Sequence, residues 1–304
     1  MRNHVHVAVV QASPVIMDLE ASLDKVAEKV KEAAAQGAEL VLFPEAFLPA
    51  YPRGLSFGTV VGNREAWGRE LWRAYWEQSV AIPGPATERL GEIAREAGVF
   101  LAIGVVEKRM VGHSLYCTIL YVGPDGHILG KHQKLKPTAA ERLIWAEGDA
   151  STLTCLDTAW GKVGGLICWE NYMPLARMAM YEQGIEIYLA PTADQRETWQ
   201  SSMRHIACEG RCFVLAANQY VHRDDYPVAW LEKEALANLP EVPSRGGSVI
   251  VSPLGEVLAG PLYDEEGILY ATLDLNQVVE ARFDFDVTGH YARPDVFRFG
   301  VKGK

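Results

Sequence analysis

Apolar runs of two different periods, alternating along the first two-thirds of the chain, limit the fold more than any other feature. The stretch "SLDKVAEKVKEAAAQG" places Leu23, Val26, Ala27 and Val30 on one helical face and stops at Gly37, and "AELVLFPEAF" follows as a near-continuous apolar strand ended by Pro44. "HVAVVQA" before them reads as a further strand, which makes a strand, helix, strand unit. The cycle returns in "TERLGEIAREAG" with "VFLAIGVVEK", then in "KVGGLIC", a helix between Pro174 and Gly184, "IEIYLAP", "TWQSSMRHIACEGR" and "CFVLAAN". Two strands flank the Pro-Asp-Gly turn of "TILYVGPDGHILGKH", while "GGSVIVSPLGEVLAG" and "GILYATLDL" read as edge hairpins. A short helix and an irregular tail complete the chain. No Gly/Ser/Pro-rich linker interrupts the pattern, and the loop-like stretch 221–246 reads as an insertion. The expectation is one α/β domain of layered sheets and helices.

Composition removes several functions. The chain has 304 residues, 49% of them hydrophobic, enough for a large core. Its 29 basic and 39 acidic residues give a net charge of −10 with no basic run, which argues against a nucleic-acid or anionic-membrane partner and leaves a small molecule. The first apolar run is too short for a signal segment, and no later run reaches the roughly 18 residues of a membrane span. Five cysteines without a dense disulfide pattern fit a reducing compartment, so a soluble cytoplasmic protein is expected. Cys208 and Cys212 lack the second pair that a zinc site needs, and neither a phosphate loop nor a serine nucleophile elbow occurs.

In α/β sheets, reactive groups gather beyond the carboxyl ends of strands. Glu45, Lys134 and Cys168 each stand at such an end. A thiol to attack, a carboxylate to move protons and an ammonium to stabilise developing negative charge form a working set for nucleophilic catalysis. A free thiol with a pKa of about 8.5 is only a few per cent ionised at neutral pH, so it needs such neighbours. Taken singly, each has an ordinary structural explanation: a buried cysteine, a capping carboxylate, a solvated lysine.

Four segments in order, "FPEAFLPAYPRG", "KHQKLKPTAAER", "GGLICWENYMPLAR" and "MRHIACEGRCFVLAANQ", resemble the nitrilase branch of the carbon-nitrogen hydrolase superfamily, over about residues 5 to 300. The resemblance implies a four-layer αββα sandwich covering residues 1–280, followed by a tail, 281–304, at an oligomer interface. It also implies a Glu45, Lys134, Cys168 triad with a further carboxylate at Glu141, and no metal or organic cofactor. Tyr51, Trp145, Trp169, Thr192 and Met203 are the implied substrate-binding residues. Trp-Glu after the cysteine, where amide-hydrolysing relatives commonly have Tyr-Asp, points to an organic nitrile as substrate, converted with water to the acid and ammonia. An amidase or carbamoyl amidohydrolase, a cyanide hydratase or dihydratase and a non-catalytic binding module are the competing readings. Gln133 stands where the family often has arginine. The chain stops at "FRFGVKGK", short of the long tail tied to spiral assembly in many relatives, so a homodimer or modest homo-oligomer is expected.

Overall fold

The alternating runs form two sheets packed face to face. The computed structural model describes residues 2–227 and 236–302. One sheet runs in the order Gly267–Asp274, His4–Gln11, Leu40–Leu42, Phe100–Lys108, Leu115–Val122, Ile128–Gln133. The other runs Tyr220–Val221, Ser244–Val251, Phe213–Ala216, Ile187–Leu189, Lys162–Gly165, Leu156–Asp157, with Val257–Tyr263 also paired to Ser244–Val251. Each sheet has three parallel strands at its heart, joined by crossover helices and flanked by antiparallel ones. Buried on both faces, these central strands are the ones whose sequences are apolar throughout.

Three apolar clusters define four layers. Leu19–Ala35 and Pro85–Ala97 pack Val26, Val30, Leu90 and Ile93 on the outer face of the first sheet. Val7, Leu42, Phe100, Ile187, Phe213 and their neighbours fill the space between the sheets. Pro174–Tyr181 and Glu197–Gly210 cover the second sheet through Met180, Trp199, Met203 and Ile206. This is the expected αββα sandwich.

Three local expectations need revision. Ser244–Val251 is an interior strand, and Val257–Tyr263 leads into Gly267–Asp274, which pairs with His4–Gln11, so the segment links the two sheets where edge hairpins were expected. The boundary expected after residue 280 falls inside the helix Asn276–Asp284, whose Val278 and Ala281 are buried. A helix not foreseen, Ala66–Gln78, packs Leu71 and Tyr75 onto the inter-sheet core, and the Tyr75 hydroxyl donates to Ala50 O at 2.9 Å. Of the loop expected over 221–246, residues 228–235 lie outside the described residues; Val221, Tyr226 and Leu236 cluster with Ile16 and Ala50. Among the described residues no helix is long and apolar enough to cross a membrane.

Gly104 shows how tightly the first sheet holds its carboxyl-end loop. A Cβ there would lie 2.2 Å from Pro44 O and 2.7 Å from Glu45 Cα, both backbone atoms. Gly104→Ala therefore has to push the Glu45 loop outward, at a cost of about 1–3 kcal/mol. Urea denaturation should show that loss, and activity should fall with it; an unchanged midpoint would mean the loop yields freely.

Candidate active site

Each of the three strand-end residues is delivered by its own loop into the layer between the sheets. Glu45, Lys134 and Cys168 are all buried, the first two almost completely. Lys134 Nζ donates to Glu45 Oε1 at 2.6 Å and to Glu141 Oε2 at 2.8 Å, so one ammonium bridges two carboxylates. Glu141 is fixed from both sides. Its Oε1 accepts the Tyr51 hydroxyl at 2.7 Å, and its Oε2 also accepts Thr138 N–H at 2.6 Å. Glu45 is positioned through its backbone, since Gln219 Nε2 donates to Glu45 O at 2.9 Å from the opposite sheet. Its second oxygen, Oε2, is buried without a hydrogen-bond partner.

Burial and charge act against each other here. Burial pushes the Glu45 carboxyl above its ordinary range; Lys134 opposes this, Glu141 adds to it, and the Cys168 thiol pulls it down. Burial alone would lower Lys134, but Glu45, Cys168, Cys117 and Glu141 together more than offset it and hold the ammonium well above the usual lysine range. The Cys168 thiol is pushed up by burial and by Glu45, against the opposing pull of Lys134. The resting site therefore holds a neutral thiol beside a permanent cation.

Cys168 opens a short helix, Cys168–Tyr172, in a left-handed backbone conformation with φ of +52°. For a residue with a Cβ this costs about 1–3 kcal/mol and persists only where neighbours impose it. The two residues after Trp169 impose it. Glu170, buried, accepts Ile167 N–H at 2.7 Å, Leu135 N–H at 2.7 Å and bonds His132 Nε2 at 3.1 Å. It ties the cysteine turn to the strand that carries Lys134. Asn171 donates to Leu166 O at 2.9 Å and Cys168 O at 2.8 Å, while its Oδ1 accepts the Tyr188 hydroxyl at 2.8 Å. The preceding Gly165 allows close approach, since a Cβ would meet Leu189 O at 2.1 Å.

The aromatic residues read from the sequence divide into groups. Trp145 meets the Tyr51 ring edge-on at 5.7 Å, and the Lys134 ammonium lies 5.9 Å from the Trp145 ring centre, which puts both rings at the site. Thr192 Oγ1 is 3.2 Å from Cys168 Sγ. Trp169 stays half in solvent, its Nε1 donating to Asp194 at 2.9 Å with Arg196 stacked on its face. Met203 is a correction. It is fully buried on Glu197–Gly210 among Tyr188, Ala190 and Trp199, because its face of that helix packs on the outer side of the second sheet.

Sequence reasoning missed His132, Asn171, Cys117, Gln219 and Asp194, which hold the reactive groups without carrying an obvious chemical signature. Cys117 Sγ lies 3.5 Å from Glu45 Oε1. Strand alternation sets where Gln133 points. Its side chain leaves the face that carries Lys134 and donates to the buried Glu107 at 2.9 Å, where Lys131 also binds.

A thiol, a carboxylate oxygen and a bridging ammonium thus stand together between the two sheets. Comparison with known proteins supplies the family. The family model described as carbon-nitrogen hydrolase matches residues 6–283. An aliphatic nitrilase of Sinorhizobium fredii (strain HH103) is 52% identical over 295 residues, covering 97% of this chain and 94% of that one. A bifunctional nitrilase/nitrile hydratase of Lupinus angustifolius is 51% identical over 302 residues, covering 98% and 86%. The crystal structure of a carbon-nitrogen hydrolase from Helicobacter pylori G27 superposes with a TM-score of 0.75 at 22% identity, over 97% of each chain, which bears on the fold alone. The chain belongs to the carbon-nitrogen hydrolase family, in its nitrilase branch.

The link between Glu170 and His132 is open to direct measurement. Removing an acceptor from a buried hydrogen-bond network costs about 1–3 kcal/mol, because the donors are left buried and unmatched. Glu170→Gln, which replaces one acceptor oxygen facing Ile167 N–H, Leu135 N–H and His132 with a donor, should lose about 1–3 kcal/mol in chemical denaturation. A double-mutant cycle with His132→Ala should give a coupling of about 1 kcal/mol or more, whereas additive costs would mean the two act independently.

Proposed function

We infer that this protein hydrolyses organic nitriles to carboxylic acids and ammonia, with Cys168 as nucleophile, Glu45 as proton carrier, Lys134 as electrostatic stabiliser and Glu141 as the residue that orients Lys134. The observation that carries the reading is the meeting of the unpartnered Glu45 Oε2, the doubly held Lys134 ammonium and the strained Cys168 in one buried space. The nitrilase names of relatives about half identical over nearly the whole chain support nitriles over amides.

Glu45 takes the thiol proton as sulfur attacks the nitrile carbon, and returns it to nitrogen, giving a thioimidate. Lys134 and the Trp169 N–H, a first-turn amide with no intrahelical acceptor, face the charge that develops there. Water, deprotonated by Glu45, adds to the thioimidate. Nitrogen takes that proton from Glu45 and then the hydroxyl proton of the adduct by the same carboxylate, leaves as ammonia, and a second water splits the thioester to release the acid. Loss of sulfur in place of nitrogen would release an amide. Tyr51 and Trp145 form an apolar wall for the substituent on the nitrile. The proposal includes self-association through the helix face beside Cys168, where Tyr172, Met173 and Leu175 are exposed.

Ammonia, acid and amide measured on a panel of aromatic, arylacetic and aliphatic nitriles, cyanide and matching amides test the assignment. Acid and ammonia from organic nitriles, abolished in Cys168→Ala, are expected. Turnover of amides alone would move the protein to the amidases.

The pH dependence follows from the site. Glu45 must be ionised to accept the thiol proton, and its carboxyl is raised from 4.5, so kcat/KM should fall with acid at a midpoint above that value. Lys134 is held above 10.5, so its deprotonation limits activity only in strong alkali. Glu45→Gln should cost about 10²–10⁴ in rate and remove the acid limb. Persistence of that limb in the variant would assign it to another group.

A further inference from the structure

Around Cys168, the Thr192 hydroxyl is a polar group whose proton has a fixed direction. Thr192 is fully buried just beyond the strand Ile187–Leu189. Its Oγ1 accepts Asp194 N–H at 2.9 Å, and a hydroxyl has a single proton, which is then directed to Cys168 Sγ at 3.2 Å. An N–H···O–H···S chain polarises along its length, so the donation to sulfur is stronger than that of an isolated hydroxyl. The amide that orients it is itself anchored. The Asp194 carboxylate accepts from Arg196 N–H and Nε and from Trp169 Nε1, and Asn218 Nδ2 donates to Asp194 O at 2.9 Å.

We propose that Thr192 is a catalytic residue that sets the ratio of amide to acid, by stabilising the Cys168 sulfur as a leaving thiolate. The proposal rests on the reading of Cys168 as the nucleophile of a nitrilase. After water adds to the thioimidate, one carbon carries sulfur, a hydroxyl and an amine. If the C–N bond breaks, its electron pair goes to nitrogen, which receives the hydroxyl proton of the adduct by way of Glu45 and leaves as ammonia, with a thioester behind. If the C–S bond breaks, its pair goes to sulfur, the hydroxyl proton of the adduct passes to a carboxylate, and a neutral amide departs. Thr192 donates to sulfur and has no second proton for nitrogen, so it favours the second path. The same contact lowers the proton affinity of a thiol that burial otherwise raises.

The test uses Thr192→Val, which keeps the shape and removes the hydroxyl, and Thr192→Ser, which keeps the donor. Thr192→Ala, with room for a water to serve the Asp194 N–H, stands in if the valine variant folds poorly. On a nitrile that the unaltered protein turns over, acid and amide are quantified together, and the pH profile of Cys168 alkylation by iodoacetamide is recorded. The unaltered protein should release both products. The amide share should fall about threefold or more in Thr192→Val and Thr192→Ala, as expected for one lost hydrogen bond, and stay near the parent value in Thr192→Ser. The alkylation midpoint should move up in the variants without the hydroxyl. An unchanged amide share in both, or acid as the sole product of the parent, overturns the proposal and leaves the nitrilase reading standing. A parent that converts no nitrile at all overturns that reading first.

Discussion

A buried ammonium that cannot exist alone organises the site. Taking Lys134 out of water would cost several kcal/mol were it not matched by charge and hydrogen bonds. Two carboxylates supply the match at 2.6 and 2.8 Å, and each is held by something other than the lysine. Glu141 has Tyr51 and the Thr138 amide; Glu45 has its backbone fixed by Gln219. The lysine thus compels two loops of the first sheet to stay together, and the carboxylates in turn keep it charged. Of the four carboxylate oxygens, Glu45 Oε2 is the one left unmatched, an expensive condition for a buried oxygen and, in the proposed mechanism, a useful one for a group that accepts a proton.

The second sheet solves a different problem. Cys168 follows the strand Lys162–Gly165 by three residues and is buried against the inter-sheet core. The turn adopts positive φ, and Glu170 and Asn171 absorb the cost by satisfying amides and carbonyls on either side of the strained residue. Because Glu170 also binds Leu135 N–H and His132, the clamp spans both sheets and ties the Cys168 turn to the segment that carries Lys134. Residues adjacent in sequence to Cys168 here act as its scaffold.

This division explains what the sequence disclosed. Buried parallel strands write themselves as apolar runs, so the layered fold and the strand-end placement of Glu45, Lys134 and Cys168 could be read directly. Glu141 and the aromatic wall needed the resemblance, since nothing in "KPTAAER" distinguishes a bridging carboxylate from a helix-starting one. His132 and Asn171 were invisible because their partners, the Glu170 carboxylate for the one and the Tyr188 hydroxyl for the other, lie far along the chain and leave no local pattern. Met203 was misplaced for a related reason: one helical period separates inward from outward faces, but it does not say which wall a buried methionine meets. The helix Ala66–Gln78 was overlooked although Leu71 and Tyr75 are four apart, because its three half-buried tryptophans at 67, 72 and 76 blur the apolar face.

The charge in the closed site also bears on what it accepts. Counted formally, two carboxylates around one ammonium sum to −1 while the thiol stays protonated. A resting thiolate would bring the total to −2 in a space of low dielectric, which is why burial and Glu45 together drive the sulfur to its neutral form. In the proposed mechanism, attack carries the thiol proton away as the C–S bond forms, to Glu45 and on to nitrogen. A neutral, linear, unsaturated group such as a nitrile suits that arrangement: it adds no charge on binding, and the negative charge it develops appears on the atom that receives the proton. The site is thereby built to move one proton in a cycle and to keep its total charge nearly constant throughout.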